Sequence, residues 1–200
     1  MSYVDTLEKI LDSKDVTSGG GAASAMAGAM ACGLIGMTAR LSLMKCYGLD
    51  DRQYLELADE LDAMGLRLLR GAQEDTKAYG VICSAMKLPK GTEEEMTLRQ
   101  KTIEDAGISA AAILRDNGYL CMKVLKIGLM LKGNSDVNAA ADLHVGISLA
   151  ETGILGCAEG VRVALPLIKD TDIVKAFKED IDKLKEKDNY YERIYSGRQH

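Results

Sequence analysis

The sequence predicts an all-α fold: a bundle of long antiparallel helices, with packing between bundle-like and orthogonal, dimerising through its long helices. Three observations carry this. Proline, the strongest helix breaker, occurs only at Pro89 and Pro166 in 200 residues. Apolar residues recur at helical spacing over runs far longer than an average helix. No stretch alternates apolar and polar side chains convincingly enough for a strand. The length suits one domain, residues 1–200, and an apolar content of 47% is enough for a large core, although Phe177 is the only Phe and Trp is absent.

Val4, Leu7, Ile10 and Leu11 share one face, so Ser2 to about Ser13 reads as an amphipathic first helix. Ser18 to Cys46 follows, and the rest of the chain is organised around it. No charge falls between Gly19 and Ala39, and most positions there are Gly or Ala. The triplet Gly19, Gly20, Gly21 reads as a loop entering a helix N-terminus. Inside that helix Gly28, Gly33 and Gly36 each cost roughly 1 kcal/mol relative to Ala. Close packing against a neighbouring helix, or against the same helix of a second subunit, can recover that loss. A stretch of roughly 20 apolar residues also has the length of a membrane span. Leu34 and Ile35 are its only Leu, Ile, Val or Phe residues, however, and no basic leader precedes it, so no membrane role is expected.

Gly48-Leu49-Asp50 is a stop followed by an N-cap, and from Asp51 the set Tyr54, Ala58, Leu61, Met64 and Leu68 begins one very long helix. Lys87-Leu88-Pro89-Lys90-Gly91 ends it. Thr92 and Glu95 fit a capping box, opening a helix from Glu93 to about Leu131 with a candidate interruption at Asn117-Gly118. Lys132-Gly133-Asn134 closes that helix. A last long apolar helix spans Asn138 to Leu165, stopped by Pro166, and Asp170 caps a charged amphipathic helix carrying Phe177 and Ile181.

The net charge of −5 is spread over interleaved acids and bases, which argues against nucleic acid and against an anionic membrane surface. Small-molecule chemistry or protein contacts remain. The five cysteines are odd in number and far apart, so they read as buried thiols of a reduced cytoplasm rather than a disulfide framework or a metal site. His144 and His200 are the only histidines, which excludes a multi-histidine metal centre.

Two stretches can carry chemistry. The free N–H groups at the start of the glycine-rich helix, at Gly19, Gly20 and Gly21, form either a flexible hinge or a cradle for an anionic or carbonyl group. On the helix from Asn138 to Leu165, a turn of 100° per residue puts Asp142 on one face with Asn138, Gly146, Gly153, Gly156 and Gly160. A carboxylate there is either a buried helix-end partner, or a desolvated group with a perturbed pKa that lines a cavity. Lys45, near a helix C-terminus, and Asp75, late in the long helix, read from sequence physics alone as a dipole-stabilising cation and a surface charge.

The triple glycine opening a small-residue helix, Asp75 with Ala78-Tyr79, the string from Met86 through Lys87-Leu88-Pro89-Lys90-Gly91-Thr92 to Glu95 with Arg99, and Gly133-Asn134 with Asn138 and Asp142 together resemble the formiminotransferase-cyclodeaminase C-terminal domain family. That family includes formimidoyltetrahydrofolate cyclodeaminases and stand-alone methenyltetrahydrofolate cyclohydrolases. The resemblance covers nearly the whole chain and implies a cytoplasmic all-helical homodimer holding a tetrahydrofolate derivative between helices, with no cofactor beyond that substrate and no metal. It implies catalytic roles for Asp142, Lys45 and Asp75, and substrate binding by Gly19, Gly20, Gly21, Asn134 and Asn138. The family's usual serine before the aspartate is Ala141 here, its usual proline before the glycines is Ser18, and two of its usual asparagines fall on Glu159 and Ala164. The implied activity is cyclodeaminase or cyclohydrolase; a folate-binding or interacting helical protein without catalysis is the other reading these departures leave.

Overall fold

The computed structural model describes residues 2–186, so His200 lies outside the described residues. Within them all regular structure is helical: α1 (Tyr3–Leu11), α2 (Gly20–Leu41), α3 (Asp51–Met86), α4 (Glu93–Leu131), α5 (Ala140–Ala164) and α6 (Thr171–Lys185). The start signals act as their chemistry requires. Ser2, Asp50 and Thr92 each close a capping box, with Asp5, Gln53 and Glu95 reaching back, and the Asp170 carboxylate accepts from two backbone N–H groups of α6. Two expectations change. Helix α4 runs 39 residues without a break, because Asn117 and Gly118 are buried where packing outweighs local propensity. Helix α5 starts at Ala140 rather than Asn138, because Asp136 caps a short 3-10 turn over Val137–Ala139 ahead of it.

Glycines set how closely the helices approach. Gly28 faces Leu68 of α3 and Cys121 of α4, and a Cβ there would clash with the Cys121 sulfur. Gly146 of α5 receives Ile35 of α2, and Gly160 of α5 receives Leu114 of α4. The pairings run α2 antiparallel to α3 and α5 but parallel to α4, which it meets across the centre of the bundle. Close packing is therefore a property of the chain itself at Gly28. Gly33 differs: nothing lies within 4 Å of a Cβ built on it. It belongs to an exposed strip on α2 with Met30, Met37 and Leu41.

Helix α2 is long and apolar enough to cross a membrane, yet 67% of its most apolar window is buried inside the bundle. Packing on three sides accounts for its composition. Gly28→Leu should overpack the Cys121–Leu68 contact and destabilise by about 1–3 kcal/mol. A denaturant midpoint equal to wild type would remove Gly28 from the core contact. Of the cysteines, Cys32, Cys121 and Cys157 are buried as expected, whereas Cys83 is only half-buried on α3 and Cys46 is exposed in the turn after α2.

Candidate active site

Helix α2 begins at Gly20, beside Gly156 of α5 and close to Asp75 of α3, while α3 and α5 continue well past that point. The space that a longer α2 would occupy is a cavity of about 660 Å³, within the range of small-molecule sites. Its polar wall consists of Gly19, Gly20, Gly21 and Ser24 from α2 and its entry, Asp75 and Tyr79 from α3, and Glu159 from α5. Leu114 of α4 and Gly160 of α5 line it as well, and Val16, Met86 and Val163 form an exposed apolar mouth.

The start of α2 has no side-chain cap of its own, since Gly19 stands at the N-cap. Asp75 supplies an acceptor from a different helix, taking a hydrogen bond from the Ala22 N–H. Gly21 is what lets it approach: a Cβ there would be 2.6 Å from Asp75 Oδ1 and 2.6 Å from Leu114 Cδ2. Next to Asp75, the buried Thr76 hydroxyl pairs with the Ser18 hydroxyl at 2.7 Å and fixes the segment entering the glycines. That pair gives Ser18 a structural task at the position where the family usually has proline.

The half-buried Asp75 carboxyl has its pKa raised to about 6: burial raises it, and the Ala22 N–H only partly offsets the effect. Glu159, across the cavity, shifts the other way. Its pKa is lowered by hydrogen bonds from Lys185 of α6, at 2.9 Å, and from Arg162. One cavity thus holds a carboxyl with an exchangeable proton, Asp75, opposite a carboxylate kept ionised by two cations, Glu159.

The residues singled out in the sequence divide between two ends of the molecule. Gly19, Gly20, Gly21 and Asp75 come together at this cavity. Lys45, Asn134, Asn138 and Asp142 lie at the other end. Asp142, in the first turn of α5 and half-buried, is about 27 Å along the helix from Gly160 at about 1.5 Å per residue. Lys45 does not pair with Asp142; it is bound to Asp136, whose carboxylate also accepts from the Asn138 backbone and side-chain N–H groups. The Asn134 carbonyl accepts from the Tyr54 hydroxyl at 2.6 Å. A smaller cavity of about 240 Å³, lined by Gly133, Asp136 and His144, opens beside this cluster. Among the described residues no group of three or more His, Cys, Asp and Glu side chains is placed to hold a metal ion. Glu159 and the Ser18–Thr76 pair went unassigned from sequence, because their importance depends on helix register.

The formiminotransferase-cyclodeaminase family model matches residues 3–183. A methenyltetrahydrofolate cyclohydrolase of Methylorubrum extorquens is 28% identical over 173 residues, covering 82% of this chain and 80% of the relative. A formimidoyltransferase-cyclodeaminase of Dictyostelium discoideum is 27% identical over 169 residues, covering 84% of this chain but 30% of that longer protein. The crystal structure of formiminotetrahydrofolate cyclodeaminase from Thermotoga maritima shares the fold, with a TM-score of 0.81 over 98% of this chain and 94% of that one at 22% identity. With a family model matched over nearly all of its helices, the chain belongs to the formiminotransferase-cyclodeaminase family.

Proposed function

We propose that this protein is a folate one-carbon enzyme acting on the carbon that links N5 and N10 of tetrahydrofolate, with Asp75 as its proton shuttle. The observation that carries the reading is the Asp75 carboxyl, with a pKa raised to about 6, set against the glycine-lined start of α2 in a cavity of about 660 Å³. In a cyclohydrolase, water adds to the methenyl carbon and the carbon–N5 bond then breaks to give 10-formyltetrahydrofolate. In a cyclodeaminase, N10 attacks the formimino carbon and ammonia leaves, giving 5,10-methenyltetrahydrofolate. Both pass through a tetrahedral carbon between two nitrogens, and both need a proton taken from the nucleophile and delivered to a leaving nitrogen.

A carboxyl with a pKa near 6 is mostly ionised at neutral pH, so it can accept the first proton and return it as a general acid. The ionised Asp75 carboxylate also offsets the cationic charge of the methenyl or formimino group, whereas Glu159 is paired with Lys185 and Arg162 and forms an ion-paired wall across the cavity. The Gly20 and Gly21 end of α2 faces a ring carbonyl or carboxylate of the ligand. Proton transfer and charge compensation are all this chemistry asks for, so the folate substrate is the only small molecule the reading requires.

Lys45, Asn134, Asn138 and Asp142 enter the same reading through a homodimer. Antiparallel apposition of two α2 helices about Gly33 would cover the exposed strip of Met30, Met37 and Leu41. It would also set Lys45 of one copy opposite Gly21 of the other, over the cavity mouth. Mixing Asp75→Asn with Lys45→Ala, each inactive alone, should then restore up to about a quarter of wild-type activity by random subunit exchange. No recovery in verified mixed dimers removes Lys45 from the shared site.

The main test supplies purified protein with 5,10-methenyltetrahydrofolate, following loss of its absorbance above buffer hydrolysis, and separately with 5-formiminotetrahydrofolate, following ammonia. Turnover in one assay assigns the reaction. Tight folate binding with turnover in neither would overturn the enzymatic reading.

A further inference from the structure

Behind the cavity wall, in the contact between α3 and α4, sits a buried polar side chain. Asn117 is 4% exposed, and its Nδ2 is the one buried side-chain nitrogen or oxygen among the described residues without a hydrogen-bond partner. A buried amide N–H left unpaired is expensive and is rarely kept without a reason. Helix α3 makes specific room for it. Opposite stands Gly71, and a Cβ built there would clash with the Asn117 amide, so any larger residue would have to displace that side chain.

Helix register places this amide directly behind the site. Gly71 precedes Asp75 by one turn of α3, a separation of about 5–6 Å between Cβ positions. Asn117 follows Leu114 by one turn of α4, and Leu114 and Asp75 are the two side chains that meet Gly21. In the opposite direction, the next layer is Leu68 and Cys121 around Gly28, which holds no strong acceptor. Two hydrogen bonds through one water span about 5–6 Å, which is about the rise of one helical turn between the Gly71–Asn117 layer and the Asp75–Leu114 layer.

We infer that Asn117 is a positioning residue for Asp75, its free amide N–H donating through one water to the Asp75 carboxylate and so fixing that group's orientation and the pH at which it exchanges its proton. The inference rests on the reading of Asp75 as the proton shuttle. Few other groups compete for that control: α2 brings no charge to Asp75, α4 brings Leu114 and Ala110, α5 brings Glu159, and α3 itself brings Tyr79 one turn on.

The test is an NMR titration of the Asp75 side-chain carboxyl carbon in unliganded wild type, Asn117→Leu and Asn117→Ala, alongside pH–activity profiles and melting curves. Leu replaces the amide with an apolar group of similar size, and Ala removes it without filling the space. Loss of the donor should raise the Asp75 pKa by about one unit in both variants, with the acid limb of the kcat profile moving equally, so that kcat falls about twofold at pH 7 and approaches a tenfold fall below pH 6. The melting temperature of Asn117→Leu should hold or rise, because the unpaired amide is gone. A raised melting temperature with an unmoved Asp75 pKa in both variants would overturn the inference and leave Asn117 as a packing residue. A moved pKa in a protein that turns over no folate would sustain the inference while the enzymatic reading failed.

Discussion

Asp75→Asn should reduce turnover by about 10²–10⁴-fold while making the protein more stable at neutral pH. The activity loss follows from removing proton exchange at the cavity wall while keeping the side chain's shape and its capacity to accept from the Ala22 N–H. The stability gain follows from linkage. The folded-state pKa of Asp75, about 6, lies above its ordinary value of 3.8, because burial penalises the charged form. The native state therefore holds the proton more tightly than the unfolded chain does. Asp75 adds no penalty below about pH 4, where both states are protonated, and its cost grows through pH 4–6 to a plateau above pH 6. The full shift corresponds to about 3 kcal/mol, which partial solvent exposure of the carboxylate reduces to the order of 1–2 kcal/mol.

Melting temperatures of Asp75→Asn and wild type should therefore coincide near pH 4 and separate in favour of the variant at pH 7–8. If Asp75 were only a helix cap, the variant would be less stable at pH 7 and would lose activity only in proportion to folded protein. Opposite movements of activity and stability mark a carboxylate kept for its chemistry. Full turnover in a folded Asp75→Asn protein would transfer the shuttle role to another group.

The fold was legible because its signals are local. Asp50 with Gln53, and Thr92 with Glu95, announce helix starts through side chains three residues away, and Pro166 announces a stop; none of these depends on tertiary structure. Glycine-rich faces could likewise be recognised as close-packing surfaces from spacing alone. What spacing could not supply was which face meets which. Gly28 and Gly33 look alike in sequence, yet one packs on Cys121 and the other faces open space.

The site was legible in part for the same reason. Asp75 reads as a surface charge on a long polar helix until the turn between α2 and α3 fixes the register that sets it opposite Gly21. Asp142 reads as the more deeply placed carboxylate because its helix face is glycine-rich. That face does pack on α2 and α4 through Gly146, Gly153 and Gly160, but Asp142 sits at its outer end, in the first turn of α5. Glu159 gains its fixed charge from Lys185, which is 26 residues away on another helix. No pattern in the linear sequence encodes that pairing.

Gly21→Ala should lower both stability and turnover, whereas Gly20→Ala should leave stability intact, and the contrast separates a built site from a flexible hinge. A methyl group at position 21 would meet Asp75 Oδ1 and Leu114 Cδ2, each at 2.6 Å. Neither neighbour can easily withdraw. Asp75 is held by the Ala22 N–H, and Leu114 already packs against Gly160, where a Cβ would stand 2.9 Å from it. Overpacking of this kind costs about 1–3 kcal/mol. Displacing the carboxylate by an ångström should reduce kcat by about 10²-fold. At Gly20, by comparison, nothing lies within 4 Å of the added carbon, and the residue is already helical. Alanine there fits the helix and intrudes only on the cavity, so the melting temperature should hold and KM should rise. A hinge gives another pattern: its function depends on backbone freedom rather than on which neighbour a methyl group strikes, so alanine at 20 and at 21 should slow turnover alike. Equal effects at the two positions, measured as kcat, KM and melting temperature on the same preparations, would discard the cradle and restore the hinge.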